Sequence, residues 1–152
     1  EIYRCDWSSD VCSSDLFQRS VWSWHPLADY ARRFSAAQHG EGWHFNDGYG
    51  LTDEQARQLA TQMTDDISSG RAKEYVEQRT KRLTRMSNVD CHICGGTGRK
   101  KAPPQIGAGD HICNACHGEG KVRPGECSYV LSMSDINEFV AFLEDCGGFK
   151  IC

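Results

Sequence analysis

The sequence contains no run of about 18 consecutive apolar residues, the length a helix needs to cross a bilayer, and its mean hydropathy is −0.58. No membrane-spanning helix is therefore expected. The start has no basic stretch followed by an apolar core, so no secretory signal is expected and the implied compartment is the cytoplasm. No nucleophile–base pair with an orienting third group can be picked out, and the chain is not expected to be an enzyme. Large apolar residues are scarce between Cys91 and Arg123, where Cys, Gly, His and Lys dominate. Such a segment cannot bury enough surface to fold by itself. What the chain has in quantity is cysteine, nine in 152 residues. Without an export signal, that number points to metal rather than disulfides. At 39% hydrophobic and 25% charged residues, the length suits one compact domain, or a small domain carrying a smaller module.

Four segments read as helices. Val21 to Pro26 leads into Leu27, Tyr30, Ala31 and Phe34, spaced as one helix face, with Pro26 expected in the first turn. A glycine-rich connection follows, in which Asn46-Asp47-Gly48 is a turn signal. Thr52 and Gln55 form a capping box for a second helix with Ala56, Leu59, Ala60, Met63 and Ile67 on its apolar face, ended by Gly70. Ala72, Tyr75, Val76, Leu83 and Met86 outline a third. Ser134 is expected to cap a fourth, carrying Ile136, Phe139, Val140 and Leu143 and stopped by Gly147-Gly148. Ser128–Met133 reads as a short strand.

The strongest signal lies between the third and fourth helices. Cys91-His-Ile-Cys94-Gly-Gly96-Thr-Gly98 and Cys113-Asn-Ala-Cys116-His-Gly118-Glu-Gly120 are two copies of C-x-x-C-x-G-x-G, with 18 residues between Cys94 and Cys113. Two thiolates separated by two residues can occupy adjacent corners of a tetrahedron with bonds of about 2.3 Å while the backbone between them turns tightly. Glycines after the second cysteine permit positive φ and bring backbone close to sulfur, where amide–thiolate hydrogen bonds disperse charge. Cys91, Cys94, Cys113 and Cys116 are thus expected to hold one zinc ion per chain, in a closed and therefore structural site. Zinc binding of this kind supplies on the order of 10 kcal/mol of folding free energy, which the apolar-poor segment needs. The expected fold is mainly α with a small irregular or β zinc-knuckle module: a helical body over residues 17–88, the four-cysteine module over 89–123, and a short strand and C-terminal helix over 124–152 packing on the body.

The octapeptide repeats resemble the cysteine-rich zinc finger of DnaJ-type chaperones over about Cys91 to Gly120. That family carries four repeats and two zinc ions; two repeats leave room for one. The His-Pro-Asp of a J domain is missing, because Leu27 follows His25-Pro26. The resemblance therefore implies the zinc-finger fold and a recognition surface rather than co-chaperone activity. The flanking pattern, from Trp22-Ser-Trp-His-Pro-Leu27 through Gly42-Trp-His-Phe-Asn-Asp-Gly48 to Cys146-Gly-Gly-Phe149, is similar to small proteins of phage and prophage genomes, which implies no activity. Glu1–Leu16 resembles the translation of a common short-read sequencing adapter, so its side chains are expected to make few buried contacts and Cys5 and Cys12 to stay out of the metal site. Its four acids and one base carry −3 of the chain's −4, leaving −1 and seven cysteines on residues 17–152.

Other constellations are weaker. CxxC pairs also serve thiol–disulfide exchange, but no thioredoxin-like βαβ pattern surrounds these. His92, His111 and His117 could replace a thiolate, though four cysteines already fill a tetrahedron. Cys127, Cys146 and Cys152 read as free thiols. Trp43, Phe45 and Tyr49 are expected to anchor the glycine-rich connection, and Trp22, Trp24, Tyr30 and Phe34 to enter the core. From Arg71 to Lys101, nine bases face three acids, a stretch that could dock phosphates. Only Tyr75 offers a ring for stacking there. Two functions follow as expectations: a zinc-stabilised adaptor or regulator that recognises another protein or, alternatively, a nucleic-acid-binding regulator using Arg71–Lys101.

Overall fold

Backbone N–H groups at the start of a helix need acceptors from outside it, and two short polar patterns supply them. Thr52 Oγ1 accepts from the Gln55 N–H at 3.3 Å while the Gln55 side chain accepts from the Thr52 N–H at 3.0 Å. Ser132 and Asp135 make the same exchange at 3.2 and 2.9 Å. The computed structural model of the protein describes residues 2–3, 16–38, 40–45 and 48–151. They fall into two units, Glu1–Lys81 with Tyr129–Cys152, and Arg82–Ser128. Cys5, Trp7, Cys12, Asn46, Asp47 and Cys152 lie outside the described residues.

Among the described residues the helices are α1 (Val21–Ala31), α2 (Asp53–Ser68), α3 (Arg71–Thr84) and α4 (Met133–Asp145). The strands are β1 (Ile2–Tyr3), β2 (Leu16–Phe17), β3 (Gly50–Thr52), β4 (Val89–Asp90), β5 (Arg99–Lys100), β6 (His111–Ile112), β7 (Lys121–Val122) and β8 (Gly148–Ile151). The fold is mixed α+β. No described helix is long and apolar enough to cross a membrane.

In the larger unit, α2 and α4 pack together, with α1 against α4, around one apolar core. Phe139 of α4 sits at its centre, with ring centroids 5.3 Å from Phe17, 5.7 Å from Trp24, 6.1 Å from Phe149 and 6.4 Å from Trp43. Burying an indole requires a partner for its N–H. Trp24 Nε1 donates to the Trp43 carbonyl at 2.7 Å, tying α1 to the short 3-10 turn Gly40–His44. Because α1 begins at Val21, Pro26 falls in the second turn rather than the first, giving up one helix hydrogen bond.

The body is less purely helical than its sequence implies. Four strands form an antiparallel sheet in the order β2-β1-β8-β3, with Leu51 opposite Phe149 and Ile2 opposite Ile151. Gly147 and Gly148, at φ 61° and 98°, end α4 and turn the chain into β8. Within Glu1–Leu16, Ile2–Tyr3 forms β1 and Leu16 opens β2 through backbone pairing, which depends little on side-chain identity. The strand expected over Ser128–Met133 is absent: Gly125–Ser128 is a 3-10 turn and Met133 already opens α4. Ser132, not Ser134, caps α4, because Ser132 has the acid three residues on that closes the box. Trp22, Phe45 and Tyr49, expected to be packed, are at least half exposed. Trp22 instead lies against Tyr129, centroids 4.9 Å apart.

One polar network enters the core. Asp66 is only 3% exposed and accepts hydrogen bonds from Tyr30 Oη at 2.6 Å and Arg71 Nε at 2.7 Å. Burial, followed by the hydrogen bond to Asp66, raises the Tyr30 pKa well above its ordinary 10.0. Replacing Tyr30 by Phe leaves Asp66 Oδ2 without a donor and should lower stability by about 1–3 kcal/mol in urea denaturation. Because the folded-state pKa is raised, the difference from Tyr30→Phe should be fully present below pH 10 and shrink as pH rises further.

Candidate metal centre

The smaller unit contains the four cysteines of the repeated octapeptide, and they converge. Their sulfurs all lie within 4.8 Å of one another, and all four residues are buried. Cys91 Sγ is 3.8 Å from Cys113 Sγ, and Cys94 Sγ is 3.8 Å from Cys116 Sγ. A tetrahedron with bonds of about 2.3 Å has edges of about 3.8 Å, so the spacing fits a single metal ion. Cys127 lies apart, its thiol 3.7 Å from the Leu83 carbonyl, and Cys146 belongs to the core of the larger unit. His92, His111 and His117 are exposed and outside the cluster.

An internal twofold relation, absent from the reading of the sequence, builds the site. Residues 22 positions apart play equal parts. Gly96 N–H donates to Cys91 O at 3.3 Å, as Gly118 N–H does to Cys113 O at 3.1 Å. Cys91 N–H donates to Gly120 O at 2.8 Å, as Cys113 N–H does to Gly98 O at 2.9 Å. The strands follow the same rule: β4, before the first knuckle, pairs with β7 after the second, and β6, before the second, pairs with β5 after the first. The knuckles thus lock across each other, and almost no apolar side chain is needed; Ile93 and Val122 alone pack beside the sulfurs.

Two glycines are obligatory for close packing. A Cβ on Gly98 would overlap the Gly118 carbonyl, and one on Gly120 would overlap the Gly96 carbonyl; both residues have positive φ, 76° and 75°. The exchange brings amides to sulfur: Gly120 N–H lies 3.2 Å from Cys116 Sγ. The sequence expects glycine to permit such positive φ, yet the residue directly after Cys116 is His117, at φ 52°. It holds the place that Gly95 holds in the first copy.

Crowded thiols do not ionise alike. Burial pushes the Cys94 thiol up, but hydrogen bonds from the Gly98 amide and the neighbouring cysteines outweigh it and bring its pKa down to about 7. Burial pushes Cys116 to about 11, against the Gly120 and Gly118 amides, with Cys113 and Cys94 adding to the rise. Full ionisation of all four therefore needs a cation to offset the charge. Four thiolates in a tetrahedron suit a soft or borderline metal and leave no position open for substrate.

Comparison with protein-family models, curated proteins and solved structures finds no match. The likeness to DnaJ-type zinc fingers thus rests on the octapeptides alone, and that to phage proteins on the flanking motifs alone.

Gly98→Ala should weaken metal affinity by at least about tenfold, since the knuckles cannot lock without displacing the Gly118 carbonyl. Gly125→Ala, whose added methyl group meets nothing within 4 Å, should leave it unchanged; competition with a chromophoric chelator reads both. Metal binding should release protons and weaken as pH falls through 7, because thiols bind metal only once deprotonated and that of Cys94 loses its proton at about 7. Calorimetry in buffers of different ionisation enthalpy would count those protons, and a proton count of zero at pH 7 would contradict a thiolate site.

Proposed function

We propose that the protein is a small zinc-stabilised adaptor or regulator that recognises another protein, with Cys91, Cys94, Cys113 and Cys116 holding one structural zinc ion. The closed set of four buried thiols supports this most directly. With every corner of the tetrahedron taken by protein, the ion has no free position for chemistry and its role is to hold the fold. The reading assigns no catalytic residue.

The basic stretch favours the adaptor over the nucleic-acid-binding alternative. Several of its nine bases are already engaged within the chain. Arg71 pairs with Asp66 at 2.7 Å, Arg82 with Glu126 at 3.4 Å, and Lys73 stands 3.9 Å from Glu77. Arg79 donates to the Tyr129 carbonyl at 3.0 Å. Tyr75, the stretch's one aromatic ring, packs 5.1 Å from Tyr30 with the Arg33 guanidinium 4.5 Å above it. Acids interrupt the stretch, and its one Phe, Tyr or Trp ring, that of Tyr75, is already packed.

Metal analysis of protein purified without chelator should find one zinc per chain, lost in Cys94→Ser. Two ions per chain, or none, would contradict the single-site reading. Affinity capture from the native host, with nuclease added to a parallel sample, separates the two functions. Protein captured equally with and without nuclease supports the adaptor; material that disappears with nuclease supports the alternative.

A further inference from the structure

The twofold relation between the knuckles extends to the ribbons beside them, and there it breaks at one place. In the ribbon β4–β7, Asp90 stands opposite Lys121, and Lys121 Nζ lies 2.6 Å from Asp90 Oδ1. In the ribbon β5–β6 the equivalent positions are Ile112 and Arg99. One ribbon neutralises its base with an acid on its own partner strand. The other sets its base beside an isoleucine that is 68% exposed.

Strand geometry shows what accompanies them. Residues directly opposite in a pair share a face, and residues two apart along a strand share a face. Arg99 and Ile112 therefore lie together, with Lys100 on the reverse side, where its ammonium meets Asn114 Oδ1 at 2.6 Å, and the exposed Lys101 follows directly after β5. Along the other edge of β5 the chain returns through Gly107 and Gly109. Lys101 N–H donates to Gly107 O at 3.0 Å and Gly109 N–H to Arg99 O at 3.3 Å. Neither glycine brings a side chain to the shared face, so the ground beside the two bases is bare backbone. Ile106, next to Gly107, is 64% exposed. Arg99 rests its guanidinium on the Asp110 backbone carbonyl, which leaves its charge unneutralised. Lys101 makes no ion pair among the described residues, and neither does Asp110, the one acid between Arg99 and Ile112.

We propose that the Arg99–Lys101–Ile112 face binds an acidic, apolar segment of a partner protein. The partner's carboxylate takes, beside Arg99 and Lys101, the place that Asp90 takes beside Lys121, and its apolar side chain covers Ile112. The proposal rests on the adaptor reading and names the chemistry of the partner. A peptide segment fits better than a nucleic acid because the face pairs charge with aliphatic surface. Phosphates bring nothing apolar to cover an isoleucine, and an isoleucine offers no ring for a base to stack on.

The test uses the full zinc-loaded chain and fluorescence anisotropy with three labelled probes: a glycine-spaced Glu–Leu peptide, its Gln–Leu counterpart, and oligo-dT. The Glu–Leu peptide should bind at least about tenfold more tightly than the Gln–Leu peptide, the ratio shrinking with added salt. Ile112→Asp copies the self-neutralised ribbon and should abolish binding while zinc content stays at one per chain. Lys101→Glu should weaken binding as well, through charge alone. Equal binding of the two peptides, no binding of either, or unchanged binding by zinc-loaded Ile112→Asp would overturn the assignment of this face and leave the adaptor reading standing. Binding of oligo-dT without either peptide would overturn both.

Discussion

Four cysteine sulfurs, all within 4.8 Å of one another and closed off from solvent, are the constraint on which the smaller unit depends. Such a group is unfavourable without a cation. Four thiolates repel, and four thiols fill the space with weak donors and little cohesive contact. One ion bound among them would convert the repulsion into attraction. The rest of its architecture follows. The knuckles exchange backbone hydrogen bonds instead of side-chain contacts, so glycine stands where apolar residues would otherwise be. With backbone hydrogen bonds and the sulfur cluster holding the ribbons, the outward side chains are released from structural duty. This freedom lets one ribbon carry Asp90 and Lys121 and the other Ile112 and Arg99.

The larger unit solves the same problem by other means. Its core gathers around Phe139 and two buried tryptophans, and two of the polar groups that enter it are hydrogen-bonded: Trp24 to a carbonyl, Asp66 to Tyr30 and Arg71. Removing the metal takes nothing from these contacts. Under the proposed zinc site the two units would owe their stability to different physical terms, burial in one and coordination in the other.

What could be read in the sequence depends on how local each signal is. The spacing of Cys91, Cys94, Cys113 and Cys116 was legible because two residues between thiolates is a requirement of coordination itself. The Thr52–Gln55 box was legible for the same reason, since a cap acts over three residues. The Ser132–Asp135 box is the same signal, with which Ser134, closer to the apolar run, competes in the sequence. Trp22 and Trp24 were both assigned to the core, yet residues two apart on a helix point to different sides, and only Trp24 is buried. The sheet was illegible: β3 and β8 have three and four residues, too few for period-two patterning, and they pair across about a hundred residues of chain. The repeat was plain to see, but its consequence was not. That β4 pairs with β7 rather than its nearer neighbour follows from two knuckles bringing their sulfurs together from opposite sides.

The central claim is that a metal ion, and not side-chain burial, holds the smaller unit together. Amide hydrogen exchange on the intact chain, before and after a chelator strips the metal, tests it most directly. The account predicts that protection at Cys91, Gly96, Cys113, Gly118 and the strands beside them collapses on stripping, while α2 and α4 exchange as slowly as before. Protection that survives in both units once the metal is gone would contradict it.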